Sequence, residues 1–202
     1  AMMRLFALGM IAVGLSVFVE RGLYTVWQAL SPGTAGAFFA ENISLRHVPS
    51  LLLAALVSFF FVALIEEGIR YVLMRYAIAR YREVNQMIDG VQLGLALGVG
   101  FAFVENALYF LQLFRNFDFD TLVIVFFLRF LISTAGHMAF GGVMGYYLVH
   151  ALVYPTERLR FLGIAFFFPW LMHGLFDFLL SVQLSFYTVL LLIIPLAMLW
   201  SW

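Results

Sequence analysis

The chain has 202 residues, of which 65% are hydrophobic and only 11% charged, and its mean hydropathy is +1.04. A soluble domain carries roughly 25% charged residues, so this composition belongs to a multi-pass membrane protein, and a formal net charge of zero implies no nucleic-acid partner. Cysteine and lysine are both absent, which removes disulfides, thiolate nucleophiles, Cys-ligated zinc and Schiff-base lysines.

Six hydrophobic segments approach the roughly twenty residues needed to cross a bilayer. They run from Leu5 to Val19, Leu51 to Met74, Val91 to Leu113, Thr121 to Val153, Phe161 to Leu180 and Leu184 to Trp200. The first follows Ala1-Met2-Met3-Arg4, but Phe18-Val19-Glu20-Arg21 lacks a small-x-small cleavage pattern, so the segment reads as a retained span. Glu20 to Ser50 then reads as the one long loop, with a turn at Ser31-Pro32-Gly33. Its apolar stretch from Ala35 to Ala40 is too short to span and suits an interfacial or re-entrant segment. Asn42-Ile43-Ser44 matches a glycosylation sequon, a motif short enough to arise by chance. The fourth segment is long enough to tilt or protrude.

The expected fold class is all-α, a polytopic membrane helix bundle of about six transmembrane helices forming one domain over residues 1–202, with a polar site buried between helices 2 to 5. Arg4, Arg75, Arg80, Arg82, Arg158 and Arg160 fall on one side of this topology. Asp118 and Asp120 fall on the other against a single Arg115, so the positive-inside rule puts both termini in the cytoplasm. Arg21 and Arg46 on the first external loop weaken that assignment without reversing it.

The second segment carries Glu66-Glu67-Gly68-Ile69-Arg70. An ionised carboxylate at a bilayer centre costs about 2.5–3.5 kcal/mol on insertion scales, so an acidic pair at depth calls for a partner or a function. Consecutive helical residues point about 100° apart, so the two glutamates need different roles. Arg70 lies within reach of either, at i+4 from Glu66 and i+3 from Glu67. The bland alternative is an Arg-Glu cluster snorkelling at the interface.

The third segment places Gly94, Gly98, Phe101 and Glu105 on one stripe whose glycines admit a neighbouring helix, and Asn106 follows. On the fourth, His137, Gly141 and Gly145 share a face. Arg129 reads as a partner for Asp118, Asp120 or Asp177 without a catalytic role, and His47 and His150 as solvated residues near segment ends. On the fifth, Asp177 lies one turn beyond His173 and can fix its tautomer, leaving the other ring nitrogen as base, donor or metal ligand. At 1.5 Å per residue, Glu66 lies about 15 Å inside the cytoplasmic boundary, His173 about 18 Å, and Glu105 and His137 about 22 Å, one layer of a core about 30 Å thick.

Together Glu66-Glu67-x-x-Arg70, Phe101-x-x-x-Glu105-Asn106, His137 followed by Ala139-Phe140-Gly141-Gly142-x-x-Gly145-Tyr146, and His173-x-x-x-Asp177 resemble the PrsW family. Those are membrane-embedded proteases related to the CPBP proteins and CAAX prenyl endopeptidases. The resemblance spans the second to fifth segments. It implies a glutamate-dependent intramembrane endopeptidase of a prokaryotic cell membrane, acting on membrane-anchored protein substrates such as anti-sigma factors; no cofactor is expected, with zinc as the alternative. It makes Glu66, Glu67, His173, His137 and Glu105 the catalytic set, with Arg70, Asn106 and Asp177 supporting. Glu105-Asn106 favours the PrsW branch over the CAAX branch, whereas Arg70 stands where that branch usually has Lys.

The chemistry asks for an activated water, an oxyanion donor and a proton for the leaving amine. One of the pair, with Glu66 preferred, activates water. Glu67 is held by Arg70, and His173 serves the oxyanion or the amine, while His137 and Glu105 bind water or complete the polar shell. Two other readings remain open: a zinc peptidase using the same histidines and glutamates, and a proton- or cation-coupled transporter.

Overall fold

The computed structural model describes residues 1–31, 48–81, 84, 86–114 and 119–201. The sequon at Asn42, the apolar stretch 35–40, and Arg46, His47, Arg82, Arg115 and Asp118 lie outside the described residues.

The described residues are almost wholly helical: α1 (Met2–Leu30), α2 (Val48–Arg80), α3 (Met87–Leu113), α4 (Phe119–Val153), α5 (Arg158–Ser181), α6 (Ser185–Leu191) and α7 (Ile193–Ser201). Five of these, α1 to α5, are long and apolar enough to cross a membrane. Their outer faces present side chains such as Phe18, Phe119 and Phe127 to the surroundings, as a lipid-solvated bundle requires.

Two expectations change. The first helix does not stop at Val19 but continues to Leu30, so Glu20 belongs to a helix and not to a loop. The sixth segment is broken into α6 and α7. Pro195 lacks an N–H and its ring opposes the carbonyl four residues back, and that residue, Leu191, ends α6.

Glycine sets the helix spacing. Gly90 and Gly94 on α3 face Gly145 and Gly141 on α4, and Gly98 faces the His137 backbone, so closely that a Cβ on any of these three α3 glycines would collide with a backbone carbonyl of α4. Small residues permit such backbone approach where lipid supplies no hydrophobic drive between helices. The two glycine stripes read from the sequence are therefore the two sides of one seam. Helix α1 crosses the opposite face of α3 at Gly9 and Gly100 in the same manner.

Helix α2 is α-helical over Val48–Leu56 and Leu64–Arg80 but widens into a π-helix over Val57–Ala63, just before the glutamate pair. Such π segments inside α-helices are frequent at functional sites. The Leu64 N–H and Trp170 Nε1 both donate to the Phe59 carbonyl, the latter at 2.7 Å, and the Phe59 ring fills the space beside Gly174. The widened turn thus locks α2 to α5 one helical turn from His173.

Candidate functional site

Helices α2, α3, α4 and α5 deliver Glu66 and Glu67, Glu105, His137 and His173 to one buried polar cluster. The depth coincidence read from the sequence corresponds to direct contact. Glu66, Glu67, Arg70, His137 and His173 are all buried, and Phe101 and Phe140 floor the cluster. Phe140 stacks on His173, Phe101 packs against His137, and the two imidazoles stand perpendicular with centroids 5.2 Å apart.

The glutamates take different roles, as the angular argument requires. Glu67 Oε1 accepts from Arg70 Nη2 and from His173 Nδ1, the latter at 2.8 Å, while the Arg70 guanidinium lies over the Phe101 ring. Glu66 makes no such bond among the described residues. Its Oε2 is buried, has no hydrogen-bond partner among the described residues, and lies 3.7 Å from His173 Nε2. Asp177 Oδ2 lies 3.4 Å from the same Nε2, a long contact compared with Glu67 on the opposite nitrogen. Glu67 therefore orients His173 more tightly than Asp177 does.

His137 is held differently. Its Nε2 lies 2.8 Å from Glu105 Oε2, and its Nδ1 is buried without a partner among the described residues. Glu105 in turn accepts from Arg129 Nη2 at 2.6 Å and from Ser133 Oγ at 3.3 Å. Arg129 Nε donates to Asn106 Oδ1, and Asn106 Nδ2 to Thr134 Oγ1. This corrects the expectation for Arg129: among the described residues its partners are Glu105 and Asn106, not Asp120 or Asp177, because the α3–α4 seam sets it against α3. His150 also departs from its reading as solvated. It is half-buried among the rings of Tyr146, Tyr154 and Phe161.

Three residues at the site were not assigned to it from the sequence. Arg129 and Ser133 extend the His137-Gly141-Gly145 stripe backward at i−8 and i−4, a signal that was present and stopped short. Glu20 follows the buried Ser16 by one turn on α1, and its Oε1 is buried without a partner among the described residues. It lies near enough to interact electrostatically with His173, Asp177 and Glu105.

One ligand atom each from Glu66, His137 and His173 lies within 4.8 Å of the others. An oxygen and two imidazole nitrogens make a donor set that zinc accepts. Two of those three residues, Glu66 and His137, hold buried polar atoms without partners among the described residues, and each imidazole has one ring nitrogen on a carboxylate. Metal-bound histidines are commonly oriented in that way. The residues present therefore fit a divalent metal.

Fold and site together define a polytopic membrane helix bundle with a buried acid–histidine centre. The family model for the PrsW family, described as intramembrane metalloprotease, matches residues 1–201, and the chain belongs to that family. It is 32% identical over 133 residues to Protease PrsW of Oceanobacillus iheyensis, covering 66% of this chain and 58% of that protein. It is 31% identical over 147 residues to the Clostridioides difficile protein of the same name, covering 72% and 60%. With Protease PrsW of Halalkalibacterium halodurans it shares 32% identity over 144 residues, 71% and 60% of the two chains. The chain thus spans about three fifths of the length of these curated relatives. No solved structure matches it.

Proposed function

We propose that this chain hydrolyses peptide bonds of membrane-anchored proteins inside the bilayer, with Glu66 activating the attacking water. The observation that carries the reading is the unpartnered Glu66 Oε2, buried and facing two imidazoles that carboxylates hold from behind. A water between these groups donates one hydrogen to Glu66 and the other to His137 Nδ1. As Glu66 takes the proton, the oxygen attacks the scissile carbonyl carbon. A proton on His173 Nε2, retained beside Glu66 and Asp177, donates to the developing oxyanion. Glu66 then returns its proton to the amine nitrogen as the C–N bond breaks. Water is consumed, and a carboxyl and an amine terminus result.

A second reading has a specific observation in its favour, the carboxylate behind each imidazole. Glu66, His137 and His173 would then hold zinc, with Glu67 and Glu105 orienting the two rings. Zinc bound there would acidify a water and polarise the carbonyl. Anti-sigma-factor-like single-span proteins, which the family resemblance implies, are the substrates to try first. The arginine distribution puts residues 1 and 201 on the cytoplasmic side, with Ser185–Ser201 completing a sixth crossing. Because the chain has no cysteine, labelling of single cysteines introduced at 4 and 201 reads this directly.

The decisive experiment incubates purified protein with single-span substrates and compares wild type with Glu66→Gln, Glu67→Gln and His173→Ala, with and without a zinc chelator. Glu66→Gln is expected to lower cleavage by about 10²–10⁴-fold, the usual range for losing a general base. Chelator-resistant cleavage supports the glutamate reading; loss that zinc restores supports the second. Undiminished cleavage by folded Glu66→Gln sinks both. Proton uptake into liposomes without any proteolysis would favour a transporter.

A further inference from the structure

Arg129 carries a formal charge in an apolar helix, and the hydrolytic scheme gives it nothing to do. Its contacts form a directed chain. Nη2 donates to Glu105 Oε1 at 2.6 Å, and Nε donates to the side chain of the next residue, Asn106, at 3.2 Å. The guanidinium carbon lies 3.8 Å from the centre of the Tyr109 ring, which blocks one side of the group. Glu105 and Asn106 are thereby gripped as a unit, and Glu105 is left with Oε2 turned toward His137.

Hydrogen-bonding capacity then determines the imidazole. An ionised carboxylate only accepts, so at 2.8 Å the His137 Nε2 must be the donor. Ser133 Oγ donates to the same oxygen at 3.3 Å. A neutral imidazole with its proton on Nε2 has a lone pair on Nδ1; this nitrogen is buried without a partner among the described residues, in a ring that has a nitrogen within 4.8 Å of ligand atoms of Glu66 and His173.

We propose that Arg129 is a positioning residue: acting through Glu105, it fixes His137 with the proton on Nε2 and presents Nδ1 to Glu66 and His173. The role is the same whether Nδ1 receives a water hydrogen or a metal. Its catalytic consequence rests on the hydrolytic reading; the state of the ring does not.

The test uses the full chain, purified in detergent micelles with its histidines labelled with ¹⁵N, and His137→Gln to assign the ring signals. In wild type, His137 is expected to show a protonated Nε2 and an unprotonated Nδ1. Arg129→Met should give a mixture of ring forms, and Arg129→Lys, which can still donate to Glu105, should retain most of the wild-type signature. Cleavage of a single-span peptide should fall about 10–100-fold in kcat for Arg129→Met with KM little changed, the usual cost of losing an outer orienting contact. The Lys variant should recover most of that. Should Arg129→Met not fold, Glu105→Gln is read in the same way. Where both fold, the double variant should lose no more than Glu105→Gln alone, since one residue acts through the other.

An unchanged His137 signature in folded Arg129→Met, or losses that multiply in the double variant, overturns the proposal. If the signature shifts as stated but no peptide is cleaved even by wild type, the positioning role stands and the hydrolytic reading falls.

Discussion

Two chains of the same three residue types converge on the site, and they differ in how they are built. Arg70-Glu67-His173 is closed: the Arg70 and Glu67 side chains are 0% exposed, and both come from one helix at i,i+3. Arg129-Glu105-His137 is open at its outer end, with Arg129 24% and Glu105 27% exposed, and its carboxylate comes from a neighbouring helix. In the inner chain the Arg70–Glu67 ion pair is local and fully enclosed by protein, and only His173 comes from another helix. The outer chain exists only because the glycine seam brings α3 against α4. The first should therefore fail by destabilising the fold, and the second by misorienting a ring in a protein that still folds.

Four measurements break or sharpen that contrast, from the largest effect to the smallest. Glu67→Gln leaves the Arg70 guanidinium buried without its counter-charge, and breaking a buried pair on one side costs about 3–5 kcal/mol. Thermal melts in detergent should show this loss, against only about 1–3 kcal/mol for Glu105→Gln, where Arg129 loses one charged acceptor but keeps Asn106 Oδ1. Equal losses in the two variants would erase the distinction.

Gly94→Ala drives a methyl into the Gly141 carbonyl and forces α3 from α4, an overpacking cost of about 1–3 kcal/mol. The His137 ring signature should be lost in this variant while the His173 signature persists. Loss of both would mean that the seam positions the whole site.

Trp170→Phe removes the donor to the Phe59 carbonyl and should lower the melting free energy by about 1 kcal/mol, since that carbonyl still accepts from Leu64. Its measurable signature is faster amide exchange in the π-helical turn. Asp177→Asn should have the smallest effect, a few-fold in kcat, because its 3.4 Å contact with Nε2 is secondary to the 2.8 Å bond from Nδ1 to Glu67. A loss as large as that of Glu67→Gln would make Asp177 the principal orienting acid of His173.

The membrane class, the bundle and the residues that meet at depth were legible in the sequence because hydrophobicity and helical periodicity are local properties. So was the pairing of Arg70 with one glutamate, which needs only one helix turn. The glycine stripes on the third and fourth segments were visible separately, though not that each was the other's partner. Glu20 escaped because the first helix was ended where its hydrophobic run ended, at Val19, whereas it continues to Leu30. The π-helical turn left no local mark: Val57–Ala63 contains neither Gly nor Pro to betray it.

What the sequence determined by itself was an inventory, Glu20 excepted: which acids, histidines and arginines lie on the apolar helices, and on which face of each. Only the tertiary structure decided the partners. Glu67 rather than Asp177 lies closest to His173, Arg129 reaches Glu105 rather than Asp120 or Asp177, and Glu66 Oε2 is left without a hydrogen-bond partner among the described residues. A helical face fixes a direction to within a turn, but a hydrogen bond requires a few tenths of an ångström. That margin is set by how closely the glycines let α3 and α4 approach and by where the π-helical turn aims α2.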